Sequence, residues 1–307
     1  MVTRPRIALF IPCFVDQLLP QVAQAMVRVL ERVGCQVEFP AAQTCCGQPA
    51  FSTGHWAEAR PLALRFAEIF AGPEARQSYD AVVCPSGSCT TMVRNFFPAL
   101  AHGDAALAQA IAPLHGRVFE FSEYLVRQLN VRDVGASFPY RVTFHDGCHA
   151  LRELGLYDEP RELLRAVRGL ELVEMEETTE CCGFGGAFSM QMSDISAALG
   201  QRKAANVERA GVDFVTSCDP SCLMQIGGTL ARQPGRVRAI HLAEILAAGL
   251  DAGLDAGPQD SGAERSAQPS ARTTGDAGGA RAGLRGPRDA PPAKRAAKPG
   301  ARAEKRP

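Results

Sequence analysis

Eleven cysteines stand in a chain of 307 residues, and eight of them fall into two sets of one form. The first set runs Cys13, then the adjacent pair Cys45-Cys46, then Cys89; the second runs Cys148, then the adjacent pair Cys181-Cys182, then Cys222. Thiolates arriving from several directions are what an iron-sulfur cluster requires of its protein. Free cysteine is often an inert small hydrophobe, and Cys35, at the corner between a helical and a strand pattern, has that bland reading. Adjacent pairs recurring in register ask for more than space filling. Cys84 and Cys218 precede the last cysteine of each set at C-x4-C and C-x3-C and are candidate extra ligands. Gly47, Gly183, Gly185 and Gly186 follow the pairs, where backbone amides free to approach a cofactor would hydrogen-bond its sulfur.

Other chemistries fit the same residues less well. His145 and His149 flank Cys148 and, with the cysteine pair, form a candidate mixed zinc site or a proton relay. Structural zinc, however, favours short C-x2-4-C knuckles, and the eight repeated cysteines are scattered at other spacings. A thiol-disulfide enzyme would be expected to show C-x-x-C, also absent. An odd cysteine count with no secretion-type leader argues against a disulfide framework. There is no G-x-x-x-x-G-K-[ST], H-E-x-x-H or G-x-S-x-G, and Gly183-Phe184-Gly185-Gly186 lacks the dinucleotide register. Met190, Met192 and Met224 are expected to fill core gaps.

The elements that must carry these cysteines are also repeated. Arg6–Cys13 and Arg141–Cys148 each read as a short buried strand delivering a cysteine at its end. Strand patterns recur at Ala81-Val82-Val83 and Phe214-Val215-Thr216, just ahead of the last cysteine of each set, and Cys35–Pro40 alternates as a strand. Cys13 to Cys148, Cys45 to Cys181 and Cys89 to Cys222 keep nearly one offset, so the chain reads as a duplication. Apolar positions from Leu18 to Val33 recur near the helical period and predict a helix closed by Gly34. Strand, helix, strand in that order implies parallel sheets with crossover helices, whose strand ends are the usual ligand edge.

Composition narrows the function classes. The 33 basic and 33 acidic residues cancel, and without residues 251–307 the balance is 22 basic to 26 acidic, so no overall field invites nucleic acid. No apolar run approaches the roughly 20 residues of a membrane span, which predicts a soluble, cytoplasmic protein that reaches a membrane only through partners. Residues 251–307 are rich in Ala, Gly, Pro and Arg and are expected to be a disordered tail.

The whole pattern resembles the cysteine-rich CCG domain found twice in heterodisulfide reductase, in the glycolate oxidase iron-sulfur subunit and in lactate utilisation protein A. It is most similar to the last family, through Cys45-Cys46-Gly47-Gln48-Pro49-Ala50, Pro85-Ser86-Gly87-Ser88-Cys89, Cys181-Cys182-Gly183-Phe184-Gly185-Gly186 and Ser221-Cys222-Leu223-Met224. The resemblance implies an α/β fold of two tandem CCG domains, residues 5–130 and 138–248, with short parallel sheets and flanking helices. It implies cluster ligation by Cys13, Cys45, Cys46 and Cys89 in one and Cys148, Cys181, Cys182 and Cys222 in the other, with one 4Fe-4S cluster per domain. It further implies an electron-carrying subunit that oxidises L-lactate to pyruvate together with two partner subunits, one of them an iron-sulfur protein, with a small 2-hydroxy acid as the substrate of the complex. Glycolate oxidation, a heterodisulfide-reductase-like complex and a zinc-stabilised assembly module are the alternatives. The fullest family motif ends in C-x-x-C; here Ser86 and Asp219 hold the earlier position, and four thiolates per half suit a four-iron cubane.

Overall fold

Short runs rich in apolar and β-branched residues mark strands covered on both faces, and the computed structural model places such strands at the centre of two parallel sheets: Arg6-Ile7-Ala8-Leu9 and Ala81-Val82-Val83-Cys84 in the first, Arg141-Val142-Thr143-Phe144 and Phe214-Val215-Thr216-Ser217 in the second. It describes residues 4–232 and 235–250, with 76 and 77 by backbone only; the predicted disordered tail lies outside the described residues. The first sheet contains β1 (Arg6–Leu9), β2 (Gln36–Glu38), β3 (Ala81–Cys84) and β4 (Val118–Glu120) in the order β2-β1-β3-β4. The second contains β5 (Arg141–Phe144), β6 (Glu171–Leu172), β7 (Phe214–Ser217) and β8 (Arg238–His241) in the order β6-β5-β7-β8. Every pairing is parallel, with Ala8 opposite Val82 and Thr143 opposite Val215. The repeated order fixes where the cysteines go. Chains leaving the inner pair β1 and β3, or β5 and β7, diverge to open a crevice at the carboxyl edge of the sheet, and a cysteine follows each of these four strands.

Local sequence explains where elements stop. The helix predicted over 18–33 runs from Pro20 to Arg32, and a separate short helix, Cys13–Leu18, precedes it. Leu19 leaves helical geometry (φ −137°, ψ 47°) and Pro20, lacking an N–H, starts the next helix. That helix buries Val22, Ala25, Met26, Val29 and Leu30 on one stripe, and beyond it Gly34 takes φ +93° while the Cys35 N–H reaches back to the Leu30 carbonyl at 2.9 Å. β1 ends at Leu9, short of the predicted Cys13, although the Phe10 N–H still bonds the Val83 carbonyl at 3.0 Å.

One core cluster joins the two repeats. Ile7, Leu9 and Val83 of the first sheet and Val142, Phe144 and Phe214 of the second belong to it together with Leu242, Ile245 and Leu246. The helix carrying those last residues, Leu242–Ala247, packs on the helix Pro20–Arg32 of the other repeat. Each repeat also has its own apolar layer on the opposite face, around Phe10, Phe66, Phe70 and Phe97 in the first and Val207, Val215 and Ile226 in the second. Burial of this apolar surface, at about 25 cal/mol per Å², holds the two sheets together, and both fall in one compact unit.

Candidate metal centre

Each predicted ligand sits where a strand hands over to a helix or a turn. Cys13 opens the helix Cys13–Leu18 after β1, and Cys148 opens Cys148–Leu154 after β5. Cys89 lies in the helix Gly87–Thr91 after β3, and Cys222 in Pro220–Leu230 after β7. The two pairs occupy tight turns beyond β2 and β6. Gly47 and Gly183 close those turns at φ +85° and +89°, a region where only glycine is unstrained. Their N–H groups consequently point back at sulfur: Gly47 donates to Cys45 Sγ at 3.4 Å, Gly183 to Cys181 Sγ at 3.3 Å, and Phe184 to Cys182 Sγ at 3.5 Å. Amides so placed favour sulfur in its anionic, metal-binding form.

All eight cysteines line one cavity of about 340 Å³ at the junction of the repeats, with Phe14, Phe51, Phe96, Phe184, Gln48 and His149 completing its wall. Cys13 donates to Cys45 Sγ at 3.8 Å. That bond, with one from Cys46, pulls the Cys45 thiol down and pushes the Cys13 thiol up. Cys46, fully enclosed, is raised by its bonds to Cys45 and Cys89 and by burial. In the second repeat the bond with Cys182 and burial raise Cys181. The thiols thus share protons among themselves, and a bound cation would take the place of those protons. The donor chemistry fits a cluster: sulfur from four directions in each repeat, backbone N–H groups turned toward sulfur, and an apolar enclosure.

Ser86 and Asp219, at the position of the family's additional cysteine, cap helices instead. Ser86 Oγ accepts the Cys89 N–H at 3.3 Å, and Asp219 Oδ1 accepts the Ser221 N–H at 3.2 Å. Asp219 also crosses between repeats, its Oδ2 accepting the Ser88 N–H at 2.8 Å. Cys84 and Cys218 are buried off the cavity: Cys84 Sγ faces the Ser86 carbonyl at 3.7 Å, and Cys218 Sγ lies 3.6 Å from Ser122 Oγ. Burial raises both thiols. Cys35 sits in the shared core, where burial pushes it up to about 11.

The structure adds surroundings that spacing did not reveal. His145, only 1 % exposed, has a ring nitrogen in a group with Cys182 and Cys222 whose donor atoms all lie within 4.8 Å of one another. Burial lowers it to about 4, leaving the ring neutral at physiological pH. Its neighbour Asp146 is gripped by Arg161 at 2.8 and 2.9 Å, and Arg161 also bonds Glu174 at 2.7 Å and lies 3.9 Å over the Tyr157 ring. Buried Lys203 donates to the carbonyls of Glu177 and Thr178, holding the loop that delivers Cys181. His149 reaches across the junction, its Nε2 3.5 Å from Gln48 Nε2 and its Nδ1 3.7 Å from Cys148 Sγ. Met190 and Met192 correct the expectation of core methionines: Met190 is 85 % exposed and Met192 also faces out. Met190 lies in the helix Phe188–Gln191, which is four residues long and buries none of its side chains, and Met192 follows its end. Met224 is half-buried.

Residues 7–94 and 142–227 each match the cysteine-rich domain family CCG. Lactate utilization protein A of Geobacillus kaustophilus is 41% identical over 243 residues, covering 79% of this chain and 99% of that protein. The chain belongs to the lactate utilization protein A family. Its counterpart of that name in Bacillus subtilis is 40% identical over 241 residues, 78% of this chain and 98% of the relative. Among solved structures, a hypothetical protein from Helicobacter pylori superposes with a TM-score of 0.51 at 10% identity, over 83% of this chain and 52% of that one, a likeness of fold alone. Among the described residues no helix is long and apolar enough to cross a membrane.

Proposed function

We propose that this chain is the iron-sulfur subunit of a multi-component system that oxidises L-lactate to pyruvate. Two repeat domains, residues 5–130 and 138–248, each hold one cluster, the first through Cys13, Cys45, Cys46 and Cys89 and the second through Cys148, Cys181, Cys182 and Cys222. The observation that carries this reading is that both cysteine sets open onto one cavity with backbone N–H groups turned toward their sulfur atoms. When bound, 4Fe-4S clusters supply one-electron transfer. The chain's own part is to hold the thiolates, keep water out with Phe14, Phe51, Phe96 and Phe184, and position the two sets beside each other. The hydroxy acid is oxidised in the complex, with two partner subunits, one of them an iron-sulfur protein, and the electrons pass through this chain. The names of the relatives support lactate as the fuel.

The test is growth of a deletion strain, lacking any redundant oxidase, on L-lactate, D-lactate and glycolate. Failure on L-lactate alone, restored by the wild-type chain, is expected; failure on glycolate alone would assign the protein to glycolate oxidation. One observation favours a second reading. The grouping of His145 with Cys182 and Cys222 has the donor types of a structural zinc site in an assembly module. Elemental analysis separates the two, because zinc without iron or sulfide removes the redox reading.

A further inference from the structure

We propose that His145 is a nitrogen ligand to the cluster of the second repeat, so that the two repeats hold clusters of different ligation. This rests on the reading of the cysteines as cluster ligands and goes beyond it, since that reading needs sulfur alone.

Three observations converge. First, His145 is buried, and neither ring nitrogen makes a hydrogen bond of full geometry among the described residues, although the Thr178 backbone lies close to the ring. Buried polar atoms left without a partner keep their full desolvation cost, and folded proteins seldom tolerate them without a reason. The nearby Thr178 carbonyl is already taken by the Asp146 N–H at 3.2 Å and by Lys203 Nζ at 3.3 Å. Second, a ring nitrogen and the sulfurs of Cys182 and Cys222 lie mutually within 4.8 Å, the one trio of histidine, cysteine or carboxylate donors so close among the described residues. Third, the duplication supplies an internal control. Phe10 precedes Cys13 by the same interval at which His145 precedes Cys148. The two backbones match as well: Phe10 N–H bonds Val83 O at 3.0 Å, and His145 N–H bonds Thr216 O at 2.8 Å. The Phe10 ring packs edge-on against Phe66 at 4.8 Å and Phe70 at 5.8 Å. One repeat therefore has hydrocarbon where the other has imidazole behind the cysteines.

The local structure holds the histidine in place. Ser217 Oγ donates to the His145 carbonyl at 2.8 Å, and the Arg161–Asp146 pair fixes the next residue. A neutral imidazole offers one lone pair, so an iron–nitrogen bond forms with no proton released and no change in electron count, and the second nitrogen keeps its hydrogen. A 4Fe-4S cluster offers one terminal position per iron, so the nitrogen would fill the position of one of the four thiols, and that thiol would keep its proton; the second repeat would then use one nitrogen and three sulfurs, whereas the first uses four sulfurs.

The experiment is pulsed electron paramagnetic resonance on the reduced, anaerobically purified full chain, produced with 15N-histidine. A strong 15N hyperfine coupling is expected in the wild type. It should persist in Cys46→Ser, which retains the second cluster, and in His149→Gln, and should vanish in Cys182→Ser and His145→Phe. Iron and sulfide present with no nitrogen coupling, or with only the weak coupling of a hydrogen-bonded ring, overturns the ligand assignment and leaves the cluster reading intact. Absence of iron and sulfide overturns both. If His145→Phe does not fold, the wild type, Cys182→Ser and His149→Gln decide the matter between them.

Discussion

At the scale of single residues, thiols that face the cavity part company with thiols that serve the core. The repeated offsets made the eight cavity cysteines legible, because no apolar core requires adjacent cysteine pairs at matching spacing. His145 was less legible: its position opposite Phe10 in the repeat was visible, but the two nitrogens without a full hydrogen bond exist only once Thr178, Lys203 and Cys182 are folded around it. Glu120 is a second residue with a cost that spacing does not reveal. Its side chain caps the short helix Phe121–Glu123, with Oε2 accepting the Ser122 N–H at 2.7 Å, while Oε1 is buried without a partner. Burial lifts its carboxyl from 4.5 to about 7. Because the folded value exceeds the unfolded one, its contribution to stability is complete below pH 4.5 and is lost as pH rises through about 7. The loss is on the order of 3 kcal/mol. Glu120→Gln should therefore flatten the fall in urea midpoint between pH 5 and pH 8; an identical fall in both proteins would show that this carboxyl does not titrate in that window.

At the scale of elements, glycine decides how closely the two repeats approach. A Cβ on Gly87 would lie 2.6 Å from Ala150 Cβ, so the helix bearing Cys89 meets the helix bearing Cys148 only because position 87 has no side chain. Gly87→Val should destabilise the chain by about 1–3 kcal/mol, the usual range for overpacking, and reduce metal retention in both repeats; wild-type iron content and midpoint would refute this contact. Gly183 faces a harder limit, since a Cβ there would lie 2.5 Å from the Ser196 carbonyl at a φ of +89°. Gly183→Ala should release metal from the second repeat and spare the first, with iron content as the readout. The central strands were readable from short runs rich in apolar and β-branched residues. Element ends were not: Leu19-Pro20 moves the start of the periodic helix two residues on, and Met190 and Met192, in and just after an unburied four-residue helix, break the rule that methionine fills gaps.

At the scale of the whole molecule, the two sheets share a core through Leu242–Ala247 and Pro20–Arg32 and share a cavity through their cysteines. The duplication and its parallel sheets were implied by the sequence, since a strand-helix-strand order leaves few topologies open. That both cysteine sets would face one cavity was not, because nothing in either repeat states how it docks on the other; the bonds that do so, such as His241 Nε2 to the Pro85 carbonyl at 2.9 Å and Asp219 to Ser88, join residues far apart in the chain. The central claim is that each repeat binds its own iron-sulfur cluster. The direct measurement is iron and acid-labile sulfide per chain in anaerobically purified wild type, Cys46→Ser, Cys182→Ser and, as a core control, Cys35→Ala. Roughly eight irons and eight sulfides are expected in the wild type and in Cys35→Ala, and about half in each serine variant. Unchanged iron in both serine variants, or zinc in place of iron throughout, would contradict the account.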